Sequence, residues 1–120
     1  MNDTTYLVTE FEKARAALTY VDPNCDRETW VRMAAALKDE FGPEGFELFD
    51  DWSREGKSYQ PAACKETWKS IQPGRGVTIA SLYHEAKNGG FRPAEWKTQA
   101  PPVRADFDSR AAERAAAQAA

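Results

Sequence analysis

Residues 26–42 read DRETWVRMAAALKDEFG, and this stretch decides the fold class. Asp26 is a strong helix N-cap type, and Glu28 falls in the first turn, where a carboxylate favours the helix dipole. Trp30, Ala34, Leu37 and Phe41 then step by four, three and four, which places them on one face of a helix. Gly42 suits the left-handed residue that ends such a helix, and Pro43 suits the first position of the next.

The same signals repeat on either side. Leu7, Phe11, Ala14 and Leu18 make an earlier four-three-four stripe, stopped by the turn cluster Val21-Asp22-Pro23-Asn24. A short third helix is expected over Pro43–Glu55, with Leu48, Phe49 and Trp52 inward, Phe46 at its flank and Gly56 ending it. A fourth opens near Pro61 and turns Cys64, Trp68 and Ile71 to one side, with Thr67 alongside. Pro73-Gly74-Arg75-Gly76 breaks it, and Thr78 caps a fifth helix with Ile79, Leu82, Tyr83 and Ala86 inward, closed by Asn88-Gly89-Gly90. Only Val77–Ile79 shows the period-two alternation of a strand. The expected fold is all-α, a compact bundle of about five short helices over residues 4–97.

From residue 98 the composition changes. Gln99-Ala100-Pro101-Pro102 reads as a linker, and SRAAERAAAQAA at 109–120 has helix propensity with no apolar anchor beyond alanine. Residues 98–120 are therefore expected to be a disordered tail or the start of a further helix, and the chain to be the N-terminal portion of something larger.

At 120 residues the chain supports one modest core, well supplied by four Trp and 12% aromatics. No apolar run approaches the length of a membrane span and the start MNDTT is no signal peptide, so a soluble, cytoplasmic protein is expected. Cys25 and Cys64 form neither a disulfide framework nor a zinc set; Cys64 reads as core and Cys25 as a loop thiol. Pro-Gly-Arg-Gly lacks the Gly-Lys-Ser/Thr ending of a phosphate-binding P-loop. His84 is the lone histidine, without a nucleophile setting beside it, and reads as surface. Asp50 and Asp51 are adjacent on a helix and diverge by about 100°, while Asp106-x-Asp108 has no scaffold, so both read as solubilising charge. No catalytic residue, metal site or cofactor is expected.

The net charge of −3 conceals a division: residues 1–56 carry −7 and residues 57–97 carry +4. Proteins that hold single strands combine cations along the phosphates with aromatic faces for the bases. In the basic half the candidates for such contacts are Lys57, Tyr59, Lys65, Lys69, Arg75, Lys87, Arg92 and Trp96, with Lys97 beside them. Lys65 and Lys69 share one helix face, and Arg75 sits on a glycine-flanked turn. Trp30, Trp68 and Tyr83 lie on apolar stripes and read as core, whereas Tyr59 and Trp96 fit no stripe and suit stacking. The cations are expected to share one accessible surface. In the acidic half, Glu40, Glu44, Glu47, Asp50, Asp51 and Glu55 gather around the second turn and third helix; they read as a solvated face, or as one that docks a basic partner.

Several groups occur together at fixed spacing: Asp26 with Thr29-Trp30-Val31 and Ala34-Ala35-Ala36-Leu37-Lys38, then Phe46-Glu47-Leu48-Phe49-Asp50-Asp51-Trp52-Ser53 and Lys57-x-Tyr59. Trp68-Lys69-Ser70, Gly76-Val77-Thr78-Ile79 and Leu82-Tyr83-His84-x-Ala86 follow. Over residues 8 to 91 this pattern resembles the second primase C-terminal domain family, although Met33-Ala34-Ala35-Ala36 stands where similar domains have a glycine. The resemblance implies a non-catalytic accessory domain of a DNA primase or primase-helicase of a phage, plasmid or integrated element. It would assist binding of single-stranded DNA template and sit beside a catalytic primase or helicase domain. The alternative is a protein–protein docking module that positions those domains without touching DNA, through an apolar groove involving Phe91 and Trp96.

Overall fold

Asp26 caps the helix that organises the molecule: its Oδ1 accepts from the Thr29 backbone N–H at 3.3 Å. In the computed structural model, residues 3–100 are described, with side chains from Thr9 onward. The Leu7 side chain, the Asp106-x-Asp108 pair, Pro101-Pro102 and the alanine-rich tail lie outside the described residues.

Among the described residues five α-helices follow in chain order: α1 (Asp3–Leu18), α2 (Arg27–Phe41), α3 (Phe46–Arg54), α4 (Pro61–Ser70) and α5 (Ile79–Asn88). Short 3-10 turns occupy Gly42–Gly45 and Pro93–Glu95. No strand occurs among the described residues, so the all-α expectation holds and Val77–Ile79 simply leads into α5. The segment expected as one helix from Pro43 divides at Gly45. Its first turn winds as a 3-10 helix, and Gly45 lies against α2: a Cβ there would stand 2.7 Å from the Leu37 carbonyl oxygen.

The central element is α2, packed most extensively on α5 and also on α3 and α4, while α1 lies along α5 and α3 along α4. Its stripe explains this position. Met33, Ala34, Ala36 and Leu37 are fully buried, and the small alanines let neighbouring helices approach closely. Phe49 is the hub of an aromatic cluster, with Trp30 at 4.9 Å, Trp68 at 5.8 Å and Trp52 at 6.3 Å between ring centroids. Two indole donors of this core are satisfied within the chain. Trp52 Nε1 donates to the Val21 carbonyl at 2.8 Å and Trp30 Nε1 to Ser53 Oγ at 2.9 Å, as buried polar groups require.

The end of α5 corrects one expectation. Gly90, at φ 104°, donates to the Lys87 carbonyl, and Phe91 N–H donates back to Ala86, which together form a Schellman closure. The turn drives Phe91 inward between Tyr20 (5.3 Å) and Tyr83 (6.2 Å), leaving it 3% exposed. Phe91 is core and lines no exposed groove. Beyond it, Gln99 accepts from the Arg92 backbone and donates to the Gly90 carbonyl, and the Tyr20 hydroxyl donates to the Ala100 carbonyl at 2.6 Å. The chain thus stays fastened to the bundle as far as Ala100.

Candidate nucleic-acid interface

The eight residues singled out from the sequence divide by the helices that carry them. Lys57 and Tyr59 lie on the α3–α4 connection, and Lys65 and Lys69 on the exposed side of α4, turned away from buried Cys64 and Trp68. Arg75 is exposed on the α4–α5 turn, where its guanidinium donates to Gln72 and the Gly74 N–H donates to Asp39 at 3.2 Å. Lys87, Arg92 and Trp96 belong to the end of α5 and the chain after it. α4 packs on α2 and α3, and α5 on α2 and α1, so the two sets are carried by different helices.

Their electrostatic states differ as well. Arg92 Nε is paired with Glu95 at 2.6 Å, which neutralises it locally. Trp96 is half-buried, with the Lys97 ammonium 5.6 Å from its ring centroid. By contrast Lys57, Lys65 and Lys69 are exposed and make no ion pair with the described residues. Unpaired exposed ammonium groups are available to phosphates without first losing a carboxylate partner.

Tyr59 is better held than the sequence suggested. Its hydroxyl donates to Asp50 Oδ1 at 2.8 Å, and the Arg54 guanidinium lies 5.8 Å from its ring centroid. The bond to Asp50 raises the phenol pKa, so the hydroxyl keeps its proton. The loop is also pinned at Lys57, whose backbone N–H donates to Asn24 Oδ1 at 2.8 Å.

These bonds enclose a cleft of about 350 Å³ between the α1–α2 connection, the start of α2 and the α3–α4 connection. Tyr59 and Gln60 stand on one wall, Asn24 and Arg27 on another, and Trp30 and Cys64 are deeper. The Arg27 guanidinium lies over the Trp30 ring at 5.5 Å, while that indole also packs on Phe49. A guanidinium so placed is a ready platform for a base or a phosphate. Sequence reading missed Arg27; it read Trp30 as core, and the ring does pack against the core. The available signal was their i,i+3 spacing, which puts both on one helix face.

The cleft holds two thiols, but neither is a nucleophile at neutral pH. Burial, reinforced by the carboxylates of Asp26 and Asp22, pushes the Cys25 thiol up to about 12. Burial also raises Cys64. Asp50 and Asp51 both engage Arg54, at 2.7 and 3.8 Å, and His84 is exposed on α5. Among the described residues no three His, Cys, Asp or Glu side chains gather as a metal set, and no helix is long and apolar enough to cross a membrane.

Fold and site together define a small all-α module with exposed cations and part-exposed aromatics around the α3–α4 connection. The chain belongs to the Primase C terminal 2 (PriCT-2) family, whose pattern matches residues 14–86. That match spans Arg27, Trp30, Lys57, Tyr59, Lys65, Lys69 and Arg75, and stops before Lys87, Arg92 and Trp96. Searches of curated proteins and of solved structures find no match.

Proposed function

We propose that this chain is a non-catalytic accessory module of a DNA primase or primase-helicase of a phage, plasmid or integrated element. It acts in the cytoplasm by holding single-stranded template beside the catalytic domain. The observation that carries this reading is the cleft at the α3–α4 connection. There the Arg27–Trp30 stack and Tyr59 offer planar surfaces, and the unpaired Lys57, Lys65 and Lys69 lie on the connection and on α4. Bases stack on such planes with little sequence preference, and lysines track the phosphates. Family membership supports the setting, since the family takes its description from primases. Lys87, Arg92 and Trp96 contribute less in this reading, because they lie beyond the residues that match the family and Arg92 is already paired.

Fluorescence anisotropy with a labelled oligonucleotide tests this at two salt concentrations. Three phosphate contacts give a slope of about −2 in log K against log salt, so a fourfold rise in salt weakens binding roughly 20-fold. Lys65→Glu with Lys69→Glu should remove most of the affinity. An absence of binding at low salt, or affinity unchanged by the double charge reversal, rejects the reading.

A further inference from the structure

On the other side of α3 a second, larger groove of about 980 Å³ runs between α1, the end of α2, the 3-10 turn at Gly42–Gly45 and α3. Its floor is aromatic. Phe11 and Phe41 meet edge to face at 5.4 Å, and Phe46 abuts Trp68 at 5.6 Å. All three rings remain half-buried in the folded chain, so each keeps apolar surface in contact with water. The rim has the opposite character. Six carboxylates line the groove against a single guanidinium, Arg54, which Asp50 and Asp51 already hold. Exposed Glu44 and Glu47 are two of these, on the 3-10 turn and the first turn of α3. On its flank the Arg15 guanidinium lies 5.5 Å from the Phe11 ring centroid, so one face of that ring already receives a cation.

We infer that this groove docks a basic amphipathic helix of a partner protein, with apolar side chains on the three phenylalanines and lysine or arginine against the carboxylate rim. Three features fix the occupant. An aromatic floor recognises an apolar stripe, as in other helix-in-groove complexes. A rim with five excess negative charges repels nucleic acid and acidic peptides and attracts a cationic segment. The volume corresponds to about seven residues, or two helical turns, of a helix 10–12 Å across. This surface uses none of the residues assigned to nucleic acid above, so a single module has one face for template and another for a protein neighbour.

The test uses the full chain and a fluorescein-labelled peptide of two heptads, with leucine at the a, d and e positions and lysine or arginine elsewhere. A scrambled peptide of identical composition serves as the control. The amphipathic peptide should bind at least tenfold more tightly than the scrambled one and gain helical circular dichroism on binding. Glu44→Lys with Glu47→Lys, both exposed and so compatible with folding, should weaken it at least tenfold. The same variant should leave oligonucleotide binding unchanged or strengthened, which separates this inference from the template reading. Equal binding of the two peptides, or no effect of the double charge reversal, overturns it. Light scattering that shows a dimer abolished by the same reversal also overturns it, because the occupant would then be a second copy of the chain.

Discussion

Lys38 of α2 closes the end of α4: its Nζ donates to the Trp68 carbonyl at 2.6 Å and the Ile71 carbonyl at 2.9 Å, and lies 5.6 Å from the centroid of the Trp68 ring. The last carbonyls of a helix lack intrahelical donors, and a cation there also meets the negative end of the dipole. This lysine therefore fastens the two-helix unit of α3 and α4 to the central helix. Lys38→Met keeps the aliphatic stem, removes the ammonium donor from the Ile71 carbonyl and leaves the Trp68 carbonyl only the Ile71 N–H at 3.3 Å. Its expected cost is about 2 kcal/mol, a drop of roughly 10 °C in the thermal midpoint. Lys38→Arg should restore only part, because a planar fork does not place one nitrogen between two carbonyls. Thermal unfolding followed by circular dichroism reads both.

Gly89 is fixed by contact. A Cβ at this position would stand 2.0 Å from the Tyr20 carbonyl oxygen, a backbone atom that cannot rotate away. Gly89→Ala must therefore separate the end of α5 from the end of α1 and disturb the Tyr20–Phe91 contact. The expected loss is about 2–3 kcal/mol. A urea midpoint equal to that of the unmodified chain would show that the two ends are not in close contact.

The helices were legible because each was encoded locally, by Asp26 and Thr78 as caps, by the Trp30-to-Phe41 stripe, and by Pro61 at the first position of α4. What escaped reading was assembled across the chain. Lys38 looks like any exposed lysine until Trp68 and Ile71 arrive from 30 and 33 residues away. Phe91 follows two glycines and resembles a loop residue, yet the Schellman turn carries it into the core. The cleft draws residues from three separated segments, so no single window contains Arg27, Trp30 and Tyr59. Charge segregation along the chain was plain, but which helices pack together was not.

Arg27 and Trp30 should separate stability from binding. Arg27 is exposed, and its contact with the indole is a surface one, so Arg27→Ala should change stability by less than about 0.5 kcal/mol. The same variant should weaken oligonucleotide binding several-fold through loss of the stacked guanidinium. Trp30→Phe has the opposite profile. It removes the donor to Ser53 Oγ inside the core, at a cost of about 1 kcal/mol. Paired unfolding and anisotropy measurements on the two variants test this; a destabilised Arg27→Ala would mean that the residue holds the fold.

Alkaline pH should destabilise the protein through Cys25. In the unfolded chain this thiol ionises near 9.0, whereas in the fold burial and the flanking Asp26 and Asp22 keep it protonated to about 12. Between those values the unfolded state binds fewer protons than the native state, so stability is complete below pH 9 and declines as pH rises. The limiting slope is about 1.4 kcal/mol per pH unit, and the observed slope should be smaller because water reaches this half-buried loop thiol. Cys64, Tyr20 and Tyr59 are raised too and act in the same direction. Cys25→Ser removes only the first contribution. Urea midpoints at pH 7.5, 8.5, 9.5 and 10 should fall more steeply for the unmodified chain than for Cys25→Ser. Parallel curves would show that the thiol ionises as readily in the fold as in the open chain.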